Sequence, residues 1–74
     1  MNRNYQYHVV NVIYDTKMKT YMTGDLNKTF SKHGQYQSLD DWLNTCIPSN
    51  ATLISVTESF NNIDIVEYLV TYAS

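Results

Sequence analysis

Residues 38–59, SLDDWLNTCIPSNATLISVTES, hold the one helical period of this sequence and run directly into a strand pattern. Apolar side chains recur there at the i, i+3, i+4, i+7 and i+8 spacing that places them on one side of a helix; they are Leu39, Trp42, Leu43, Cys46 and Ile47. Ser38 can accept hydrogen bonds from amides of the first turn, and Asp40 and Asp41 add the negative charge that a helix N-terminus favours. Pro48 cannot continue a helix, and Asn50 tolerates the left-handed conformation common at helix ends. The stretch predicts a helix of about ten residues, which must pack against a sheet because so short a helix is marginal alone in water.

Strand patterns, rich in β-branched and aromatic residues, flank this helix on both sides. They are residues 5–14 (YQYHVVNVIY), 20–23 (TYMT), 52–60 (TLISVTESF) and 63–72 (IDIVEYLVTY). A polar turn at 15–19 joins the first two into a hairpin, and Asn61 and Asn62 form the turn between the last two. Residues 24–37 have no clear period and are interpreted as the longest irregular segment. The predicted fold class is α+β: a three- or four-stranded antiparallel sheet with one short helix packed on one face, in a single domain over residues 1–74.

Composition narrows the classes of function. Five basic against seven acidic residues give a net charge of −2, and the basic residues are scattered, which argues against nucleic-acid binding. No stretch approaches the roughly 20 apolar residues of a membrane span, and the N-terminus has no secretion signal. We therefore expect a cytoplasmic protein, in the host cytoplasm if it is phage-encoded. Cys46 is the sole cysteine, so a chain this small must stabilise itself by association, and we expect a homo-oligomer, a dimer or higher.

Few residues suggest chemistry. His8 and His33 are the only histidines, and neither has a nucleophile, base and orienting group around it in the sequence. Cys46 lies near the C-terminal end of the predicted helix, the wrong pole for a thiolate. The carboxylates lack the spacing of a metal-binding loop. We predict a non-enzymatic protein with no catalytic residue, no metal and no cofactor. Glu67, among apolar neighbours, is expected at an interface or a sheet edge.

The strands are apolar on both faces, which indicates a partner surface. One short helix covers one face of a sheet, so the second face is left as an apolar, tyrosine-rich patch. The predicted interface residues are Tyr7, Val66, Tyr68, Val70 and Tyr72. The hypothesis is that this face binds a second copy, sheet on sheet, or a target protein; edge strands offer another route to self-association. The alternative is that residues 24–37 fold over the face.

A second hypothesis places function in the irregular segment. Phe30, His33 and Tyr36 give it aromatic and titratable side chains. A small-molecule, nucleotide-like ligand would then be bound or sequestered between protomers near residues 24–37.

Four segments resemble a group of small bacterial and phage domains of unknown function. The pattern of that group is Y-x-V-V, L-x-x-x-L-N, G-W-E-L-V-S-V and Y-L-V-x-(F/Y), and the matching residues here are 7–10 (YHVV), 39–44 (LDDWLN), 53–56 (LISV) and 68–72 (YLVTY). The chain departs from the group where Asn50 and Ala51 replace Gly-Trp, and where Ala73 and Ser74 replace a closing Lys-Arg. The resemblance implies a β-α-β-β fold. With the tyrosine-rich composition, it also suggests a phage or mobile-element accessory protein that binds and modulates a host defence protein as a homo-oligomer.

Overall fold

The computed structural model describes residues 5–24 and 34–74, and in these ranges an antiparallel sheet carries one short helix. The elements in chain order are β1 (Tyr7–Asp15), β2 (Thr20–Thr23), β3 (Gln35–Tyr36), α1 (Leu39–Cys46), β4 (Thr52–Asn61) and β5 (Ile65–Ala73). The order across the sheet is β3-β2-β1-β5-β4, and all neighbouring strands are antiparallel. The first and last of the described strands, β1 and β5, are therefore paired in the interior of the sheet.

The described part of the sheet has five strands, so the predicted number of three or four is wrong. The additional strand is β3, which lies in the segment interpreted as irregular and pairs through Tyr21 with Tyr36 and through Met22 with Gln35. Two residues are too few to show a period of two, which explains why the pattern missed this strand. Both predicted hairpins, β1–β2 and β4–β5, are confirmed.

The helix begins as the sequence predicts and ends earlier. Ser38 Oγ accepts a hydrogen bond from the Asp41 amide at 3.0 Å. Ile47 is already extended, with φ −77° and ψ 131°, because a residue before proline is pushed out of the helical region. The helix has eight residues, and Asn50 does not close it in a left-handed conformation: among the described non-glycine residues only Lys19 has a positive φ. Within these ranges no helix has the length and apolar character needed to cross a membrane.

The core lies between α1 and one face of the sheet, here called the helix side. Trp42 and Cys46 bury against four strand residues of that side, Val10, Val12, Val70 and Tyr72. Trp42 is 0% exposed, and its indole Nε1 donates to Thr23 Oγ1 on β2 at 3.1 Å. Register places the alternate residues on the opposite face, here called the far face: Tyr7, Val9, Asn11, Ile13, Thr57, Phe60, Ile65, Glu67, Leu69 and Thr71.

Two turns are joined at one end of the sheet. Asp15 Oδ1 accepts hydrogen bonds from the amides of Lys17 and Met18 at 2.9 and 3.0 Å, which shapes the β1–β2 turn. Thr16 Oγ1 lies 2.8 Å from the carbonyl oxygen of Ile63 and 2.9 Å from that of Asp64, so it can donate to either. The backbone of the β4–β5 turn is thereby held, while the Ile63 side chain is 88% exposed.

Replacing Trp42 with alanine tests whether this one side chain holds the helix. Large-to-small changes at buried aromatic positions cost about 3–5 kcal/mol, which is comparable to the whole free energy of unfolding of a domain this small. We expect Trp42→Ala to be largely unfolded in urea titrations that follow circular dichroism, and the exposed helix variant Thr45→Ala to stay within about 0.5 kcal/mol of wild type. A Trp42→Ala protein with wild-type stability would contradict this view of the core.

Candidate interaction surface

The far face carries exposed apolar side chains on β1 and β4, and half-buried ones on β5, which lies between those two strands. Tyr7 is 66% exposed, Val9 54% and Phe60 50%. Half-buried Ile13, Ile65 and Leu69 lie among them. Because Val9 and Ile13 are on β1, Leu69 on β5 and Phe60 on β4, the apolar area runs across adjacent strands rather than along one.

Glu67 brings a negative charge into this apolar area. In the register it lies between Ile13 on β1 and Phe60 on β4, and Ser59 Oγ lies 2.9 Å from its Oε1. Because β5 is flanked by β1 and β4, the sheet-edge alternative predicted for Glu67 is wrong, and the interface alternative stays a prediction. A group that covered this carboxylate would have to supply a hydrogen-bond donor or a cation, since an unpaired buried charge is costly.

Tyrosines cluster on the helix side. The rings of Tyr14 and Tyr21 are 4.6 Å apart between centroids, and those of Tyr21 and Tyr68 are 6.2 Å apart. Burial, followed by the proximity of Tyr68 and Tyr14, raises the pKa of Tyr21. Burial also raises the pKa of Tyr72.

The predicted interface residues are divided between the two faces. Tyr7 lies on the far face, but Val70 and Tyr72 are 0% and 4% exposed beneath α1, so in this fold they belong to the core and not to a surface. Val66 and Tyr68 are half-buried on the helix side. The five residues therefore do not form one surface, because the helix covers the side of β5 from which four of them project.

Of the residues predicted for a ligand loop, the structure places only Tyr36. It lies in β3 opposite Tyr21, and a side-chain hydrogen bond with Cys46, followed by burial, raises the pKa of its hydroxyl. Phe30 and His33 lie outside the described residues.

The described His8 and Cys46 side chains make packing contacts. His8 stacks on Tyr72 with ring centroids 4.9 Å apart, and its Nε2 is 3.4 Å from Ser74 Oγ. Cys46 is a buried free thiol. No group of three or more His, Cys, Asp and Glu side chains within residues 5–24 and 34–74 could hold a metal ion.

Two features near β4 were not predicted from the sequence. A groove of about 320 Å³ lies between the end of α1 and the start of β4, with Leu43, Ile47, Ala51 and Leu53 in its lining. β4 itself is almost wholly exposed, with Leu53 at 45% and Ile54 at 50%. The only sequence signal for the exposed strand was the uncharged, β-branched run at residues 52–57. Such a run is as typical of an exposed sheet edge as of a buried strand.

No family model, curated protein or solved structure matches this chain.

The free energy of unfolding should fall as the pH rises above about 10. Burial holds the pKa of Tyr21 and Tyr72 above their ordinary value of 10.0, so the folded chain retains protons that the unfolded chain releases. This stabilisation is complete below pH 10 and is lost as the pH rises through the folded-state pKa. Denaturant titrations across this pH range should show that the free energy of unfolding of Tyr21→Phe falls less steeply with pH than that of wild type. Tyr5→Phe, at an exposed position, controls for loss of a hydroxyl, and an equally steep decline in Tyr21→Phe would contradict the expectation.

Proposed function

We propose that this chain is a non-enzymatic protein-interaction module that binds a partner protein through the far face. The observation that carries the proposal is the exposure of Tyr7 and Val9 on β1 and of Phe60 on β4, with half-buried Leu69 on β5 between them. Several exposed apolar side chains gathered on one face of a sheet are typical of a contact site, whereas apolar residues scattered singly need no explanation.

The chemistry of the far face describes the partner. An apolar centre formed by Val9, Leu69 and Phe60 calls for an apolar counterpart, and Glu67 calls for a lysine, an arginine or a backbone amide opposite it. Tyr7 contributes a large, rigid contact area with a hydrogen-bonding end. The partner is thus an apolar protein surface with a basic group near its middle.

The biological setting of this proposal comes from the sequence. The resemblance to small bacterial and phage domains supports an accessory protein that modulates a host protein, and the small size of the chain supports action as a homo-oligomer. The far face is then the surface presented to the target, and self-association requires a second surface.

A charge placed on the far face should abolish partner binding and leave the fold intact. Val9→Asp puts a short carboxylate, which cannot extend back to water as lysine can, at a half-exposed position beside Thr71. The measurement is native mass spectrometry of tagged protein purified gently from its own host. We expect wild type to carry a stoichiometric protein companion and Val9→Asp to have lost it.

Asn50→Asp is the matched control, since it adds the same charge with little change of shape at an exposed turn. It should keep the companion, and both variants should unfold at wild-type denaturant concentrations. A wild-type protein without a companion, or with a small-molecule adduct instead, would count against the interaction module, as would a companion retained by Val9→Asp.

A further inference from the structure

The outer side of β4 is an unusually long sheet edge. β4 has ten residues, and among the described strands it pairs only with β5. Natural sheet edges are commonly protected by short length, proline or lysine. β4 contains neither of those residues, and its only charge is Glu58. Such an edge can accept another strand.

The hydrogen bonds of the sheet identify which β4 residues face outward. Gln6 and Ser74 exchange both backbone hydrogen bonds, at 3.0 and 3.1 Å, and β1 pairs with β5 without interruption from there. Because antiparallel ladders alternate, even-numbered residues of β5 bond to β1 and odd-numbered ones bond to β4. The carbonyl of Asn11, which accepts from the Gly24 amide on the β2 side at 2.8 Å, agrees with this alternation.

The β4 residues opposite even-numbered β5 residues therefore direct their N–H and C=O groups away from the sheet. They are Leu53, Val56, Glu58 and Asn61, opposite Tyr72, Val70, Tyr68 and Val66. Register irregularities fall between Leu53 and Ser55 and between Glu58 and Phe60. The intervals between outward residues are consequently three, two and three positions, so the edge has the same spacing read in either direction.

We propose that a second copy of this chain binds along β4 in antiparallel orientation, with the two-fold axis at Thr57. Leu53 of one copy then lies opposite Asn61 of the other, and Val56 opposite Glu58, so that all four outward residues of each copy meet outward residues. Only an axis at Thr57 matches all four outward residues, because the irregularity between Leu53 and Ser55 of one copy then lies opposite the irregularity between Glu58 and Phe60 of the other. The inference rests on the homo-oligomer part of the proposed function and names its surface.

The same register supplies an apolar anchor at each end of the interface. Continued past Leu53, it brings Ile63 of the second copy beside Ala51, at the groove formed with Leu43, Ile47 and Leu53. Ile63 is 88% exposed in the single chain, on a turn whose backbone Thr16 already holds. An exposed isoleucine on a held turn thus coincides, at both ends of the two-fold interface, with a groove of about 320 Å³ whose lining combines apolar side chains with Asn44 and Ser49.

A cysteine at the proposed axis tests the register. Thr57 and its symmetry mate form a non-hydrogen-bonded pair, whose Cα atoms lie about 4.5 Å apart in antiparallel sheets, within the range that a disulfide spans. Ser55→Cys is the matched control, because two copies of residue 55 would be about 13 Å apart at the usual rise per residue. Native Cys46 is buried and present in both variants.

Under mild oxidation, Thr57→Cys should give a covalent dimer on non-reducing gels, and Ser55→Cys should form it at least about tenfold more slowly, since its geometry forbids the bond. Equal cross-linking of the two variants, or a dimer that Thr57→Cys fails to cross-link, would overturn the register. A wild-type chain that is monomeric at all concentrations by analytical ultracentrifugation would overturn the dimer itself.

Two further variants separate this edge from the far face. Val56→Pro removes an outward N–H and leaves the β4–β5 hydrogen bonds, since proline is tolerated on edges whose N–H faces solvent. Val56→Pro should therefore be a folded monomer. Val56→Thr, which keeps the N–H, should dimerise.

Ile63→Ser should weaken the dimer roughly a hundredfold, because each of two symmetric sites loses a buried isoleucine. Val9→Asp should still dimerise, so loss of its companion would test the proposed function independently. A dimer unchanged in both Val56→Pro and Ile63→Ser would overturn the edge interface.

Discussion

The burial of Trp42 is the interaction on which the rest of the structure depends. Its indole ring is buried in one cluster with Val10, Val12 and Val70, and its Nε1–H donates to Thr23 on β2. An eight-residue helix has little stability of its own. Its position over the sheet is therefore set by one large side chain with both an apolar body and a hydrogen-bond donor, which fits one depth and one orientation.

That single contact divides the sheet into two unequal faces. On the helix side, Cys46, Tyr36 and Tyr72 complete the core around Trp42. On the far face, Val9 and Phe60 are about half exposed because the one helix of the described chain packs elsewhere. The asymmetry follows from size: the described part of this 74-residue chain has one short helix to place, and its five-stranded sheet has two faces to cover.

The two proposed association surfaces are geometrically compatible. Pairing along β4 would extend the sheet sideways, whereas a partner on the far face would lie across it. A two-fold axis at Thr57 would bring the far faces of two copies into one continuous surface, with Glu67 repeated on both sides of the axis. A module that binds its target in this way presents two equivalent apolar patches at fixed separation, which favours a symmetric or repeated target by effective concentration.

Local patterns in the sequence determined much of this fold. The spacing from Leu39 to Ile47, the cap at Ser38 and the break at Pro48 determined the helix, and β-branched runs determined four strands and two hairpins, because these features depend on neighbours within a few residues. Only the tertiary structure decided which face of the sheet the helix covers. Val9 and Val10 are equally apolar, as are Leu69 and Val70, so the alternation of residues did not indicate which face of the sheet is buried. As a result, the residues predicted for the interface include the core residues Val70 and Tyr72. The strand order makes β4 an edge and places Glu67 in the interior of the sheet. It depends on the pairing of β1 with β5, which lie some 58 residues apart in the sequence. No local pattern encodes a contact at that separation.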